Sequence, residues 1–220
     1  MAFDLTDYDK RVRMVIPFYD ELHTQTLDLV QTWAGDRQLA LLDTGCGTGT
    51  FARRAAETLR LSALTVCDPS DTMLDAARHK LSGIQTAFFQ TGSEQMTFTE
   101  QFDVVTAIQS HHYFDPETRE TALRKCWQAL RPNGMFIVFE NTAPDTPEGT
   151  QLLLQRVEQF GIHAGRPPEE ARAHSERYGT EYFPITAEAH LALLRKVGFE
   201  VAELFWRSYL QSGFYAIKRN

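Results

Sequence analysis

Residues 41–51 read Leu-Leu-Asp-Thr-Gly-Cys-Gly-Thr-Gly-Thr-Phe, and the fold turns on them. An apolar run from Leu39 to Leu42 stops at Asp43 and passes through Gly45, Gly47 and Gly49. It then opens into a stretch with Ala52, Ala55, Ala56 and Leu59 at helical spacing. A short apolar run bounded by turn formers suits a buried parallel strand. Glycines let the chain turn sharply and approach a ligand closely. The helix that follows aims its first N–H groups at whatever sits there. A dinucleotide fingerprint would need glycine at position 50, which is threonine, and a phosphate loop would need a following Gly-Lys-Ser/Thr. Asp43 suits a ligand carrying an ammonium group and would repel a pyrophosphate.

Outward from this loop, apolar runs at 64–68, 87–89, 102–108 and 135–140 read as strands. Helical spacing marks 70–81 and 116–130, and 10–34 reads as one helix before the first strand. This alternation calls for right-handed crossovers and a mostly parallel sheet covered on both faces. Residues 141–185 break the rhythm with Pro144, Pro147, Pro167 and Pro168 and many charges, which predicts a helical insertion above the sheet. A helix at 187–197 and strands at 201–208 and 212–218 close the chain, the last two as an antiparallel hairpin at the sheet edge.

Composition narrows the function classes. Of 220 residues, 43% are hydrophobic and 23% charged, an ordinary globular balance. The net charge of −7 argues against a general nucleic-acid binder, which needs a basic surface. Cys46, Cys67 and Cys126 have no metal-type spacing and read as reduced thiols of a cytoplasmic protein. No apolar run approaches a membrane span, and the acidic start MAFDLTDYDK does not read as a secretory signal. A homodimer is compatible with these data.

The glycine stretch resembles the first motif of the class I S-adenosylmethionine-dependent methyltransferases. The resemblance implies a Rossmann-like, doubly wound α/β fold with a seven-stranded, mostly parallel sheet whose last strand is antiparallel. It also implies S-adenosyl-L-methionine as cofactor. Gly45, Cys46, Gly47 and Gly49 would back its methionyl and ribose parts, and Asp43 would meet the ammonium. The text CDPSDTMLDAA (67–77) resembles the second motif, with Asp68 on the ribose hydroxyls and Pro69 and Met73 beside the adenine. Asp68 could instead cap the next helix, as could Ser70, and Met73 also fits core packing. In TGSEQMTF (91–98) the family's usual acidic residue falls on Gly92, leaving Ser93, Glu94 or the backbone to serve the adenine edge. In AIQSHHYF (107–114), Gln109 would lie against the cofactor. His111 and His112 are candidate bases, or they only shape the pocket. Neighbouring histidines diverge and no third ligand declares itself, so no metal is expected.

On one helix face, Tyr19 and His23 either cover the sulfonium or pack the helix. Tyr19 joins His111 and His112 as a candidate catalytic residue. In the insertion, Arg177 and Tyr178 are candidate substrate contacts, because an arginine there suits a ligand carboxylate; a solvated surface is the other reading. The whole layout is similar to a subgroup that includes the carboxy-S-adenosylmethionine synthases. In those, an arginine of the insertion binds the carboxylate, and Arg177 falls at that place. The loop GCGTG nevertheless reads as an ordinary methyltransferase loop. The expectation is therefore one methyltransferase domain (1–220), with a helical cap at 1–34 and the insertion at 141–185 over the active site. It would methylate a small-molecule acceptor. The rivals are a carboxy-S-adenosylmethionine synthase and a non-catalytic cofactor-binding protein.

Overall fold

The computed structural model describes residues 5–219. Where one N-terminal helix was expected there are two, α1 (Leu5–Val15) and α2 (Tyr19–Ala34). Pro17 explains the break. Its ring disfavours helix at the preceding residue and removes a backbone donor, and Phe18 follows in the left-handed region at φ 58°.

Strands and helices then alternate: β1 (Leu39–Thr44), α3 (Thr50–Thr58), β2 (Leu61–Cys67), α4 (Asp71–Lys80), β3 (Thr86–Phe89), β4 (Phe102–Ile108), α5 (Pro116–Ala129) and β5 (Leu130–Asn141). After the insertion, α6 (Pro147–His163) and α7 (Pro168–Ser175), come α8 (Ala187–Val197), β6 (Val201–Ser208) and β7 (Gln211–Ile217). The seven strands lie in the order β3-β2-β1-β4-β5-β7-β6. Only the pairings of β7, with β5 and β6, are antiparallel. The closing hairpin does form the sheet edge, but β7 sits inside it and β6 is the outermost strand.

Every residue of β1 is buried, as a central strand covered on both faces requires. Leu39 and Leu41 pack with Leu22, Val30, Phe51 and Ala55 of α2 and α3, on one face of the sheet. Ala40 and Leu42 pack with Leu123, Cys126 and Leu194 of α5 and α8, on the other. Strand order reverses between β1 and β4, and ligands of open α/β sheets bind outside the carboxyl ends at such a point. The glycine loop after β1 and the His111–Tyr113 turn after β4 stand there. Among the described residues, no helix is long and apolar enough to cross a membrane.

Candidate functional site

A cavity of about 1010 Å³ opens over the switch point, at the upper end of the range for small-molecule sites. Its floor is the loops after β1, β2, β3 and β4. Its roof is α1, the start of α2 and the insertion, which contribute Tyr8, Arg11, Tyr19, Arg166, His174 and Arg177. Asp43, Gly45, Cys46, Gly47, Asp68, Pro69, Met73, Ser93, Glu94, Gln109, His112, Tyr19 and Arg177 all line it, so the structure gathers most of the residues singled out from sequence.

Asp43 ends a fully buried strand and is 2% exposed, with Oδ1 accepting the Thr106 hydroxyl at 2.7 Å. Burial, with Asp68 close by, pushes its carboxyl up to about 7 despite that hydrogen bond. Such a group favours a cation beside it. Gly45 is required by close approach as well as by its φ of 65°, because a Cβ there would lie 2.6 Å from the Cβ of Ser110. Asp68 is already engaged twice: Oδ2 accepts the Gly47 N–H and Oδ1 the Ser70 N–H, both at 2.9 Å. The cap of α4 is Ser70, whose hydroxyl accepts the Met73 N–H at 3.3 Å. Asp68 therefore braces the glycine loop while lining the cavity. Burial raises the Cys46 thiol far above its ordinary range, so Cys46 is a wall and not a nucleophile.

The missing acidic residue at position 92 has a structural answer. A Cβ at Gly92 would lie 2.5 Å from both carboxylate oxygens of Glu94. The bare glycine makes room for Glu94 to fold back to the cavity, where its buried Oε2 has no partner. Gln109 stands at the end of β4 with φ 57°, and its buried Nε2 is also unpartnered, as is the Ser110 Oγ. Strained, unsatisfied polar groups on a cavity wall mark a place built for a polar ligand.

Three expected site residues lie off the wall. Gly49 caps α3 at φ 76°, with a Cβ there only 3.1 Å from Ala77, so it serves helix packing. His111 is fully buried, its Nε2 2.9 Å from the Ser93 Oγ, which in turn lies 2.8 Å from the Thr44 Oγ1. Burial takes it down to about 4, so it is a neutral strut and not a base at the cavity. Tyr178 packs its ring edge-on against Tyr182, 6.1 Å between centroids, and it is Tyr182 that reaches the cavity. Tyr19 does line the cavity, with its ring 4.6 Å from that of His23, but burial first and then Tyr8 and Asp9 hold its hydroxyl far above the ordinary range. It can donate a proton in a hydrogen bond but is a poor base.

Sequence reading missed how the roof is fastened. Asp9 of α1 accepts the Thr48 and Thr50 hydroxyls at 2.7 and 3.2 Å and pairs with Lys80 of α4. Lys80 also donates to Thr48 and Thr50 at 2.8 and 2.6 Å. Asn141 and Gln211, joined at 3.1 Å, were missed too, because β7 had to be seated beside β5 before they became neighbours at the strand ends.

Residues 41–134 match the methyltransferase domain family. The chain is 24% identical to a carboxy-S-adenosyl-L-methionine synthase of Trichodesmium erythraeum over 96% of its own length and 85% of the relative's. It is 28% identical to a malonyl-[acyl-carrier protein] O-methyltransferase of Haemophilus ducreyi over 74% of this chain and 60% of that one. A crystal structure of an S-adenosylmethionine-dependent methyltransferase from Thermotoga maritima superposes with a TM-score of 0.64 at 16% identity, covering 97% and 96% of the two chains. In fold, in glycine loop and in the domain match over residues 41–134, the chain is similar to the class I S-adenosylmethionine-dependent methyltransferases. Within that class the chain is similar along nearly its whole length to the carboxy-S-adenosylmethionine synthases.

Proposed function

We propose that this cavity holds S-adenosyl-L-methionine and that the protein methylates a small acceptor bearing an anionic group. The observation that carries the reading is Asp43, a carboxylate with 2% exposure and a single hydroxyl donor at the mouth of the glycine loop. A buried carboxylate without a cation is costly, and an amino-acid ammonium supplies one. Asp68 keeps lone pairs for ribose hydroxyls beyond its two backbone bonds. Glu94 Oε2 and Gln109 Nε2 offer an acceptor and a donor to the nucleoside. Bound there, the cofactor supplies an electrophilic methyl group on a sulfonium. The protein's part is to align the acceptor and to exclude water, and alignment alone accounts for much of such an acceleration.

The anionic acceptor is inferred from Arg11, Arg166 and Arg177, three guanidinium groups at the roof of a cavity in a chain of net charge −7. Arg177 is held by Glu181 at 2.7 Å and faces Tyr113, which leaves part of its fork for a ligand. The same arginine supports a second reading, synthesis of a carboxylated cofactor, with Arg177 on the carboxylate. The acidic balance argues against a nucleic-acid acceptor.

The deciding experiment is mass spectrometry of the small molecule carried through purification, followed by calorimetry with S-adenosylmethionine. Recovery or binding of S-adenosylmethionine or S-adenosylhomocysteine is the expected result and moves the work to acceptor screening. Recovery of the carboxylated cofactor favours the second reading. No nucleoside and no binding would overturn both.

A further inference from the structure

Glu140 lies on β5, outside the cavity lining, and no motif pointed to it. It is 2% exposed, and a buried carboxylate persists only where partners hold its charge. Its Oε1 accepts the His111 N–H at 3.2 Å. Its Oε2 stands 3.2 Å from Nδ1 of His112, which is the histidine on the cavity wall. That second contact falls short of hydrogen-bond geometry, and neither atom has another hydrogen-bond partner, so each is the other's nearest means of satisfaction. The His112 backbone is pinned, its carbonyl accepting the Phe183 N–H at 2.7 Å. With Nδ1 turned to Glu140, Nε2 is the nitrogen left for a ligand.

We propose that Glu140 is a positioning residue that holds His112 as the Nδ1–H tautomer, so that Nε2 takes a proton from the acceptor. The proposal rests on the methyl-transfer reading and narrows the acceptor to a protic nucleophile, a hydroxyl or amine that must lose its proton. As the acceptor atom bonds to the methyl carbon, the carbon–sulfur pair stays on sulfur and the acceptor's proton passes to Nε2. The positive charge thus moves from sulfonium to imidazolium, where the Glu140 carboxylate stabilises it.

The groups around the pair permit this assignment. Burial works to raise Glu140, but the contact with His112 brings it below the ordinary carboxylate range, so it is ionised. From α5, buried Arg119 adds positive charge near Glu140 while donating to the carbonyls of His111, Phe114 and Phe183. From α8, His190 is neutral, taken down to about 4 by burial. Around His112 itself stand Tyr113 and Tyr182, with rings at 4.4 and 5.9 Å, together with His174 and Arg177 of the insertion. Burial raises both tyrosine hydroxyls, that of Tyr182 to about 12, so neither competes as a base.

The test is nitrogen-15 NMR of the full-length protein labelled at histidine, with His112 assigned by its loss in His112→Gln. The expected result at pH 8 is a proton on Nδ1 and a bare Nε2. A proton on Nε2 overturns the proposal, and this arm needs no Glu140 variant to fold. The second arm follows carbethoxylation of His112 by peptide mass spectrometry, with exposed His79 and His163 as internal references. Glu140→Gln should slow His112 by about tenfold and leave the references unchanged, with Glu140→Asp recovering part of the loss. Equal rates in wild type and Glu140→Gln overturn it. Calorimetry with S-adenosylhomocysteine keeps the two ideas apart: absent binding sinks the functional reading, whereas intact binding with the wrong tautomer sinks only the Glu140 assignment.

Discussion

Asp68 reaches from the end of β2 to accept the Gly47 N–H at 2.9 Å. One carboxylate therefore shapes the glycine loop and faces the space where a ribose is proposed to lie. Its replacement has two consequences. Asp68→Ala should weaken S-adenosylhomocysteine binding by about 1–3 kcal/mol, the scale of a hydrogen bond to a charged group. It should also lower Tm, because the Gly47 and Ser70 donors lose their acceptor. Asp68→Asn, which keeps one carbonyl oxygen, should fall between. Unchanged affinity in calorimetry would remove Asp68 from the site.

Asp43 makes binding pH-dependent. Its carboxyl is pushed up to about 7 by burial, and a ligand ammonium needs the ionised form. Affinity for S-adenosylmethionine should therefore rise as pH passes upward through 7 and then level, and Asp43→Asn should flatten the curve. Stability of the free protein runs the other way. The folded value lies above the ordinary 3.8, so the protonated group stabilises at low pH. That contribution is lost as pH rises from about 4 to 7. Calorimetry and thermal melts across this window check both signs.

The histidines that burial or partial burial keeps neutral oppose that trend. His111, His174 and His190 are each lowered to about 4 and His23 to about 3, in every case first by burial. Each is neutral in the fold and charges more readily unfolded, so the stability it contributes is present above 6.5 and lost as pH falls toward 4. Four such groups outweigh Asp43, and Tm should drop between pH 6.5 and 4. His190 stacks on Phe214 at 4.4 Å with its Nε2 unpartnered. His190→Phe should make the drop shallower; an unaltered acid limb would show that His190 does not carry it.

The Asp9–Lys80 pair ties α1 to the glycine loop through Thr48 and Thr50. Because α1 forms part of the roof, Asp9→Ala should speed dissociation of S-adenosylhomocysteine several-fold. The melting temperature should move little, since exposed and half-buried pairs contribute about 1 kcal/mol or less. Stopped-flow displacement reads the rate. A dissociation rate equal to that of wild type would mean the roof opens elsewhere.

The sheet was legible because its strands are short apolar runs that end at turn formers, and because β1 is buried on both faces. The break in the N-terminal helix was not read, although Pro17 stood in plain view, because helical spacing continues on either side of it. Asp43, Asp68 and the loop after β4 could be found because a parallel sheet brings the carboxyl ends of its strands together whatever covers them.

What the sequence determined by itself is thus the local alphabet: which segments are strand or helix, where the chain needs glycine, and which carboxylates end strands. The tertiary structure alone decided which side chains reach the cavity. His111 and His112 are adjacent in the chain, yet a single turn sends the first inward to Ser93 and the second to the wall. Glu140, Asp9 and Gln211 take part through partners 28, 71 and 70 residues away, and no local pattern encodes a contact that exists only after the sheet is wound and the roof closed.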